Sequence, residues 1–406
     1  MKFKDYDETI NDLINSIQGL RTLVKKVFIT EAFGYVLAED IVANSNSPEY
    51  VTSAMDGYAI RWEDQKSVNL VLKDFVPAGS ETKSFVGEGE CVKTFTGSLM
   101  SEGSDTLIPI ENVEVKGNAV KIITPVSKGF ATREVGENYK KGEVLIERGC
   151  KIGFSEIGVL AELGFVQVAV YDRPKVSIIA TGSEILDIGE EKFSNAQIRS
   201  SNHVTIEAIV KNEWADTARV GIVKDNKDEI KEKIVEALEH SDIVITTGGV
   251  SVGDYDFVKE ILKGLEVEYV VDGASIKPGR HIKIVKAGKK FIFALPGFPY
   301  SSAVMTFLYV VPFIRSLQGL PAKSRYISAI MEEDYKKRSP FTEFSACNLI
   351  LKDGQFYVNL EGKKVGSSAI LTNLLNNSAL LRVEKESELI KKGERVRVLP
   401  MGSVLL

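Results

Sequence analysis

The chain has 406 residues, is 44% hydrophobic and 26% charged, and carries a net charge of −5. That length predicts about two to four domains of ordinary soluble composition, and the acidic balance argues against nucleic acid as the main partner. Cys91, Cys150 and Cys347 lie far apart without C-x-x-C spacing, which implies neither a zinc site nor a disulfide framework and fits a reducing cytoplasm.

The opening "MKFKDYDETI" has no apolar run of the kind a signal peptide needs. Residues 1–30 read as helical. Residues 45–140 are rich in short strands, glycine and turns, as in "EGSDTLIPIENVEVKGNAVKIITPV", and a short helix is expected at 155–163. "YDRPK" (171–175) reads as a proline-marked linker. Strands and helices then alternate. "KVSIIATG" (175–182) is an apolar strand. "SNHVTIEAIVKNEW" (201–214) has helical spacing at Val204, Ala208 and Ile209, and "RVGIV" (219–223) is a short strand. "DNKDEIKEKIVEALEH" (225–240) is an amphipathic helix with Ile230, Ile234, Ala237 and Leu238 on one face. "DIVITT" (242–247) is a third strand, followed by a helix near 256–263 and a strand at 267–271. "HIKIVKAGKKFIFAL" (281–295) reads as a hairpin turning at Gly288, before a helix from Pro299. This order predicts a mostly parallel sheet covered on both faces, with ligands at the carboxyl ends of its strands. Phe291 to Ile314 has no charged residue, but prolines at 296, 299 and 312 leave less than the ~20 apolar residues of a membrane span, so a buried strand, turn and helix are expected. From Pro321 onward the pattern is that of a small all-β domain.

The strand ends carry the chemistry. The first ends in "ATGSEI", offering Thr181, Gly182 and Glu184; the second leads to Asp225. The third ends in "TTGGVSVGDYD", with Gly248, Gly249, Ser251, Asp254 and Asp256. The next connection, "DGASIKPGR", brings Lys277 and Arg280, and the last strand ends in "LPGFPYSS", with Pro296, Gly297, Ser301 and Ser302. Glycine turns and helix starts let backbone N–H groups approach an anion. Lys277 and Arg280 can clamp an oxyanion, and Glu184, Asp225 and Asp256 can hold Mg²⁺. Asp225 also stands where an N-cap belongs, and Glu184 also suits a solvated first turn, so each has a second reading. His203, His240 and His281 share no spacing and read as surface or structural residues. A weaker cluster lies earlier: "SAMDGYA" places Asp56 in a turn, and "KTFTGSLMSEGSDTLIPIE" presents Thr94, Thr96 and Ser98.

Together "SAMDGYA", "FTGSLMSEGSDTLIPIE", "DRPKVSIIATGSEI", "TTGGVSVGDYDFVK", "IKPGR" and "LPGFPYSS" resemble, in order and across nearly the whole chain, the molybdopterin molybdenumtransferases, the MoeA and gephyrin E-domain family. The resemblance implies an elongated N-terminal domain (1–44 and 141–173), an inserted β-rich domain (45–140), a MogA-like three-layer α/β domain that binds molybdopterin (174–321) and a C-terminal β-barrel (322–406). It implies a cytoplasmic homodimer with a shared active site and no membrane or nucleic-acid partner, and it leaves room for a MogA-like partner enzyme. The implied reaction takes adenylylated molybdopterin and molybdate to molybdenum cofactor and AMP with Mg²⁺. Glu184, Asp225 and Asp256 take the metal and phosphate, Lys277 and Arg280 the anion, and Asp56 and Thr96 reach the active site from the other subunit. Alternatives within the resemblance are a tungstate-inserting paralogue, a MogA-like adenylyltransferase and a gephyrin-like scaffold. Three positions depart from the family pattern: Phe298 where P-G-N-P has Asn, Ser183 where Asp is frequent, and Ala346 where "EF-x-R" has Arg. At the last, an anion contact is expected to be missing.

Overall fold

The structure, a computed structural model, describes residues 3–18, 20, 23–80, 84–250, 257–322, 326–376 and 378–402. The expectation of a helix throughout residues 1–30 needs correction. A helix runs only over Tyr6–Asn15, started by a capping box in which Asp5 takes the Glu8 N–H and Glu8 takes the Asp5 N–H. Val24–Phe28, where charged and apolar residues alternate in pairs, is instead a strand antiparallel to Gln167–Tyr171.

The chain divides into two units. Glu39–Arg148 with Gly158–Phe165 forms one, built on a six-stranded sheet in the order Thr106–Pro109, Gly57–Ile60, Glu90–Thr94, Leu70–Val76, Ala119–Ile122, Val113–Lys116. Tyr58, Ile60, Leu70, Cys91, Ile108 and Val120 form its core.

The other unit holds the α/β layers. We label its strands β1 (Lys175–Thr181), β2 (Asp216–Val223), β3 (Ile243–Thr247), β4 (Glu268–Asp272), β5 (Ile276–Lys277), β6 (Lys283–Ala287) and β7 (Lys290–Leu295). The helices are α1 (Asn202–Asn212), α2 (Lys227–His240), α3 (Phe257–Gly264), α4 (Pro299–Met305) and α5 (Val311–Leu317). The sheet order is β2-β1-β3-β7-β6-β4; the first four strands are parallel, and β6 and β4 add antiparallel at one edge. Period-2 alternation makes the three layers. Ile178, Ile245, Phe291 and Phe293 pack with α1, α4 and α5, whereas Ile179, Val244 and Ile292 pack with α2 and α3. Burying each such side chain contributes about 2 kcal/mol.

Two helix expectations shift. On α1 the buried face is His203, Ile206 and Val210, not Val204, Ala208 and Ile209; both sets fit a helical period, and the sheet selects the first. The helix from Pro299 continues to Leu317, because a π turn at Thr306–Val310 lets the backbone pass Pro312. This run is long and apolar enough to cross a membrane, but 78% of its most apolar window is buried within the fold, as in a core helix.

The terminal domain is a closed barrel of β8 (Ile327–Met331), β9 (Thr342–Lys352), β10 (Gln355–Asn359), β11 (Ser378–Val383) and β12 (Arg395–Pro400). Its order is β9-β10-β8-β12-β11, and β11 pairs back onto β9. The short strand β5 lies parallel to β9 and extends this sheet, so Lys277 is held by the barrel.

Candidate active site

A cavity of about 850 Å³ opens at the carboxyl ends of the parallel strands. Thr181, Gly182, Glu184, Asp225, Gly248, Gly249, Lys277, Arg280, Pro296, Gly297 and Ser301 all line it. Ser251, Asp254 and Asp256 lie outside the described residues. Asp56 and Thr96 belong to the other unit, where they meet each other. Asp56 Oδ1 accepts the Thr96 N–H at 2.8 Å and its hydroxyl at 2.7 Å, and these bonds hold the carboxyl below its ordinary pKa, the hydroxyl contributing most.

At Gly248 and Gly279 close approach requires glycine. Gly248 has φ 98°, and a Cβ there would sit 2.8 Å from both the carbonyl oxygen and Oγ1 of Thr181. At Gly297 the Cβ position is 3.5 Å from the Gly248 Cα, so the third and last strand ends meet backbone to backbone. Gly279, with φ 92°, lies against Met305, where a Cβ would be 2.1 Å from the sulfur.

Asp225 is not the cap of α2. Asn226 holds that place, its side chain accepting from Asp228 N and Glu229 N, because the strand-to-helix turn runs one residue further than the sequence pattern indicates. Asp225 instead pairs with Ser183. Its Oδ2 accepts the Ser183 N–H at 2.9 Å, and its own N–H donates to Ser183 Oγ at 3.1 Å. Two strand ends are thereby tied, and the serine departure still supplies an acceptor.

Arg280 stacks its guanidinium between Phe3 and Phe341, 5.2 and 4.7 Å from the ring centroids. Phe298 is 62% exposed at the N-cap of α4 and makes no side-chain cap bond. Ala346 borders only a small space of about 20 Å³ with Lys277, Glu343 and Ser368, room for about one water.

Sequence reasoning missed Arg199, Ser200, Asn202, His281, Ser339 and Phe341, which also line the cavity. Arg199 sits in the polar stretch "SNAQIRSSN" and gave no pattern to notice; Ser339 and Phe341 arrive from the barrel and had no local signal. His203, expected in a surface or structural role, lies inside the fold. It is 1% exposed, with Ser200 Oγ 2.9 Å from Nδ1 and Asp187 Oδ1 3.0 Å from Nε2. Asn202 donates Nδ2 to Gly297 O at 2.8 Å, and its Oδ1 is buried without a partner among the described residues.

Three cations (Arg199, Lys277, Arg280) face two carboxylates (Glu184, Asp225) on this wall, a balance suited to an anion carrying a metal. Among the described residues no three His, Cys, Asp or Glu side chains gather as a metal cluster, but Glu184 and Asp225 make no ion pair there. Two carboxylates without a cation of their own, on a cavity lined by glycine backbone, are hard oxygen donors that fit Mg²⁺.

A molybdopterin molybdenumtransferase of Staphylococcus aureus is 33% identical over 347 residues, 83% of this chain and 81% of the relative. The chain belongs to the molybdopterin molybdenumtransferase family. The Staphylococcus epidermidis enzyme of the same name is 32% identical, over 82% of each chain. Family models match in sequence: the MoeA N-terminal region (domain I and II) over residues 3–164, a probable molybdopterin binding domain over 177–316, and the MoeA C-terminal region (domain IV) over 328–401. Two structures of a molybdopterin biosynthesis MoeA protein from Pyrococcus horikoshii superpose with TM-scores of 0.84 and 0.81, at 25% and 30% identity. They cover 99% and 98% of this chain and all of their own. The cavity therefore belongs to an enzyme of the molybdopterin molybdenumtransferase family, a transferase of molybdenum cofactor biosynthesis.

Proposed function

We propose that this enzyme inserts molybdate into adenylylated molybdopterin in a Mg²⁺-dependent reaction that releases AMP, in a reducing cytoplasm. The observation that supports this is the convergence of carboxylates, cations and bare glycine backbone from four strand ends and the barrel on one cavity. Arg199, Lys277 and Arg280 bind the oxyanions of phosphate and molybdate. Gly248, Gly249 and Gly297 allow the ligand to approach the backbone. Glu184 and Asp225, with Asp256 from the sequence pattern, would hold Mg²⁺, which when bound neutralises charge on the pyrophosphate link.

Incubation with adenylylated molybdopterin, molybdate and Mg²⁺ should release AMP and form cofactor. AMP at the level of an enzyme-free control sinks the proposal. Tungstate in place of molybdate tests metal choice, and ATP with free molybdopterin tests the MogA-like activity. Ligand binding without turnover would favour a scaffold, and a MogA-like partner should then be sought by co-purification.

We also infer a homodimer with a shared site, from the resemblance that assigns Asp56 and Thr96 to the active site of the other subunit. Equal mixing of inactive Asp56→Ala and Asp256→Ala chains should restore roughly a quarter of the activity, since random exchange makes about half the dimers mixed, each with one intact site. Verified exchange without recovery refutes the shared site.

A further inference from the structure

We propose that Ser200, His203 and Asp187 form a proton relay from the cavity to solvent, in which His203 exchanges a proton with the bound ligand through the Ser200 hydroxyl. The proposal rests on the reading above for its substrate, and on geometry for the relay. Ser200 lines the cavity, His203 lies behind it and is 1% exposed, and the Asp187 side chain beyond is 40% exposed. The three are joined by contacts of 2.9 and 3.0 Å.

The direction of the bonds follows from Asp187. Its Oδ1 accepts the Ile188 N–H at 2.7 Å, the leading cause that holds this carboxyl below its ordinary pKa, with His203 adding to it. An ionised Asp187 only accepts, so His203 carries its hydrogen on Nε2 and offers the Nδ1 lone pair to the Ser200 hydroxyl. The serine oxygen keeps lone pairs for a proton arriving from the cavity.

When an attacking water forms its bond to phosphorus, the P–O–P link breaks with its electron pair leaving on the departing phosphate oxygen, and the water loses a proton. That proton goes to Ser200 Oγ as the serine's own hydrogen moves to Nδ1. The resulting imidazolium sits against Asp187 and discharges to solvent at that exposed edge. Other charged groups around α1 are Glu190, whose carboxylate takes the Asp187 N–H, Arg199 on the cavity wall, and Lys211 and Arg219, both paired with Glu207. Lys175 of β1 begins its strand, and the hydroxyls of Tyr300 and Tyr309 bond to Phe344 O and Thr9. Asp187 is thus the one charged partner in hydrogen-bond contact with His203 among the described residues.

Two readouts test the relay. In calorimetry with AMP, and separately with molybdate, in buffers of different ionisation enthalpy, binding should be accompanied by proton uptake that His203→Gln abolishes. In turnover, His203→Gln should lower kcat by about 100-fold with KM little changed, and should flatten the acidic limb of the pH profile. Asp187→Asn, which removes the charge set against the imidazolium, should lower kcat in the same direction. Proton uptake unchanged in a well-folded His203→Gln chain, or absent from the wild type, overturns the relay whether or not AMP is released. If the wild type takes up protons through His203 yet releases no AMP, the relay stands and the reaction assigned above is wrong.

Discussion

Asn226 and Asp225 are neighbours with opposite expected phenotypes. The Asn226 side-chain oxygen accepts two first-turn N–H groups of α2, at 3.0 and 3.2 Å. Asn226→Ala orphans both where water can reach them, so it should cost about 1 kcal/mol, or ~3 °C of melting temperature for a unit of this size. AMP release at 25 °C should be nearly unchanged. Asp225→Asn keeps an oxygen for the Ser183 N–H, and the residue is only half-buried. It should cost no more than ~0.5 kcal/mol, mainly the lost attraction of a carboxylate for the helix start. Its AMP release, however, should fall by about 100-fold or more, because the charge facing the cavity is gone. Melting curves and AMP release on both variants decide the matter. If Asp225→Asn melts as low as Asn226→Ala, or Asn226→Ala melts like the wild type, the assignment of cap and site residue is wrong.

Gly248→Ala should lose roughly 1–3 kcal/mol, because φ 98° and a Cβ 2.8 Å from Thr181 leave no room to relax; an unchanged melting temperature contradicts this. Asp7 is held below its ordinary pKa, first by its hydrogen bonds to Arg382 at 2.9 and 2.5 Å. A depressed carboxyl stabilises above its unfolded pKa of about 3.9 and loses that contribution as pH falls. Asp7→Asn should therefore cost about 1 kcal/mol at pH 7, discounted for the exposure of Asp7, and the gap to wild type should close below about pH 4 in denaturant titrations. Burial pushes the thiols of Cys91 and Cys347 up to about 12. At pH 8 a thiol reagent should label neither until the chain is unfolded, as mass spectrometry of the labelled peptides would show.

The three-layer order was legible because buried strands such as "KVSIIAT" and "KFIFAL" and the stripe Ile230, Ile234, Ala237 obey unambiguous periods. So were the cavity residues at strand ends, since topology alone sends those ends to one edge of the sheet. Val24–Phe28 was lost to helix because a five-residue strand needs its distant partner at 167–171 to exist. The face of α1 was misjudged by one position because two overlapping stripes fit the same helix, and with it went His203, whose partners lie 3 and 16 residues away in a loop without a repeating pattern. The cap moved from Asp225 to Asn226 for a related reason: both residue types cap well, and only the turn's geometry chooses between them.

The pairing of β5 with β9 has a consequence for how this enzyme could be dissected. The molybdopterin-binding model ends at residue 316 and the C-terminal model begins at 328, which invites cutting the gene between them. Yet Ile276 and Lys277 are laddered onto Thr342 and Glu343, and Phe341 forms half of the sandwich around Arg280. A fragment ending near 320 would keep every strand of the α/β sheet while losing the support of both central cations. The seam along the polypeptide is not a seam in space, and swapping barrels between relatives would exchange part of the cavity wall with them.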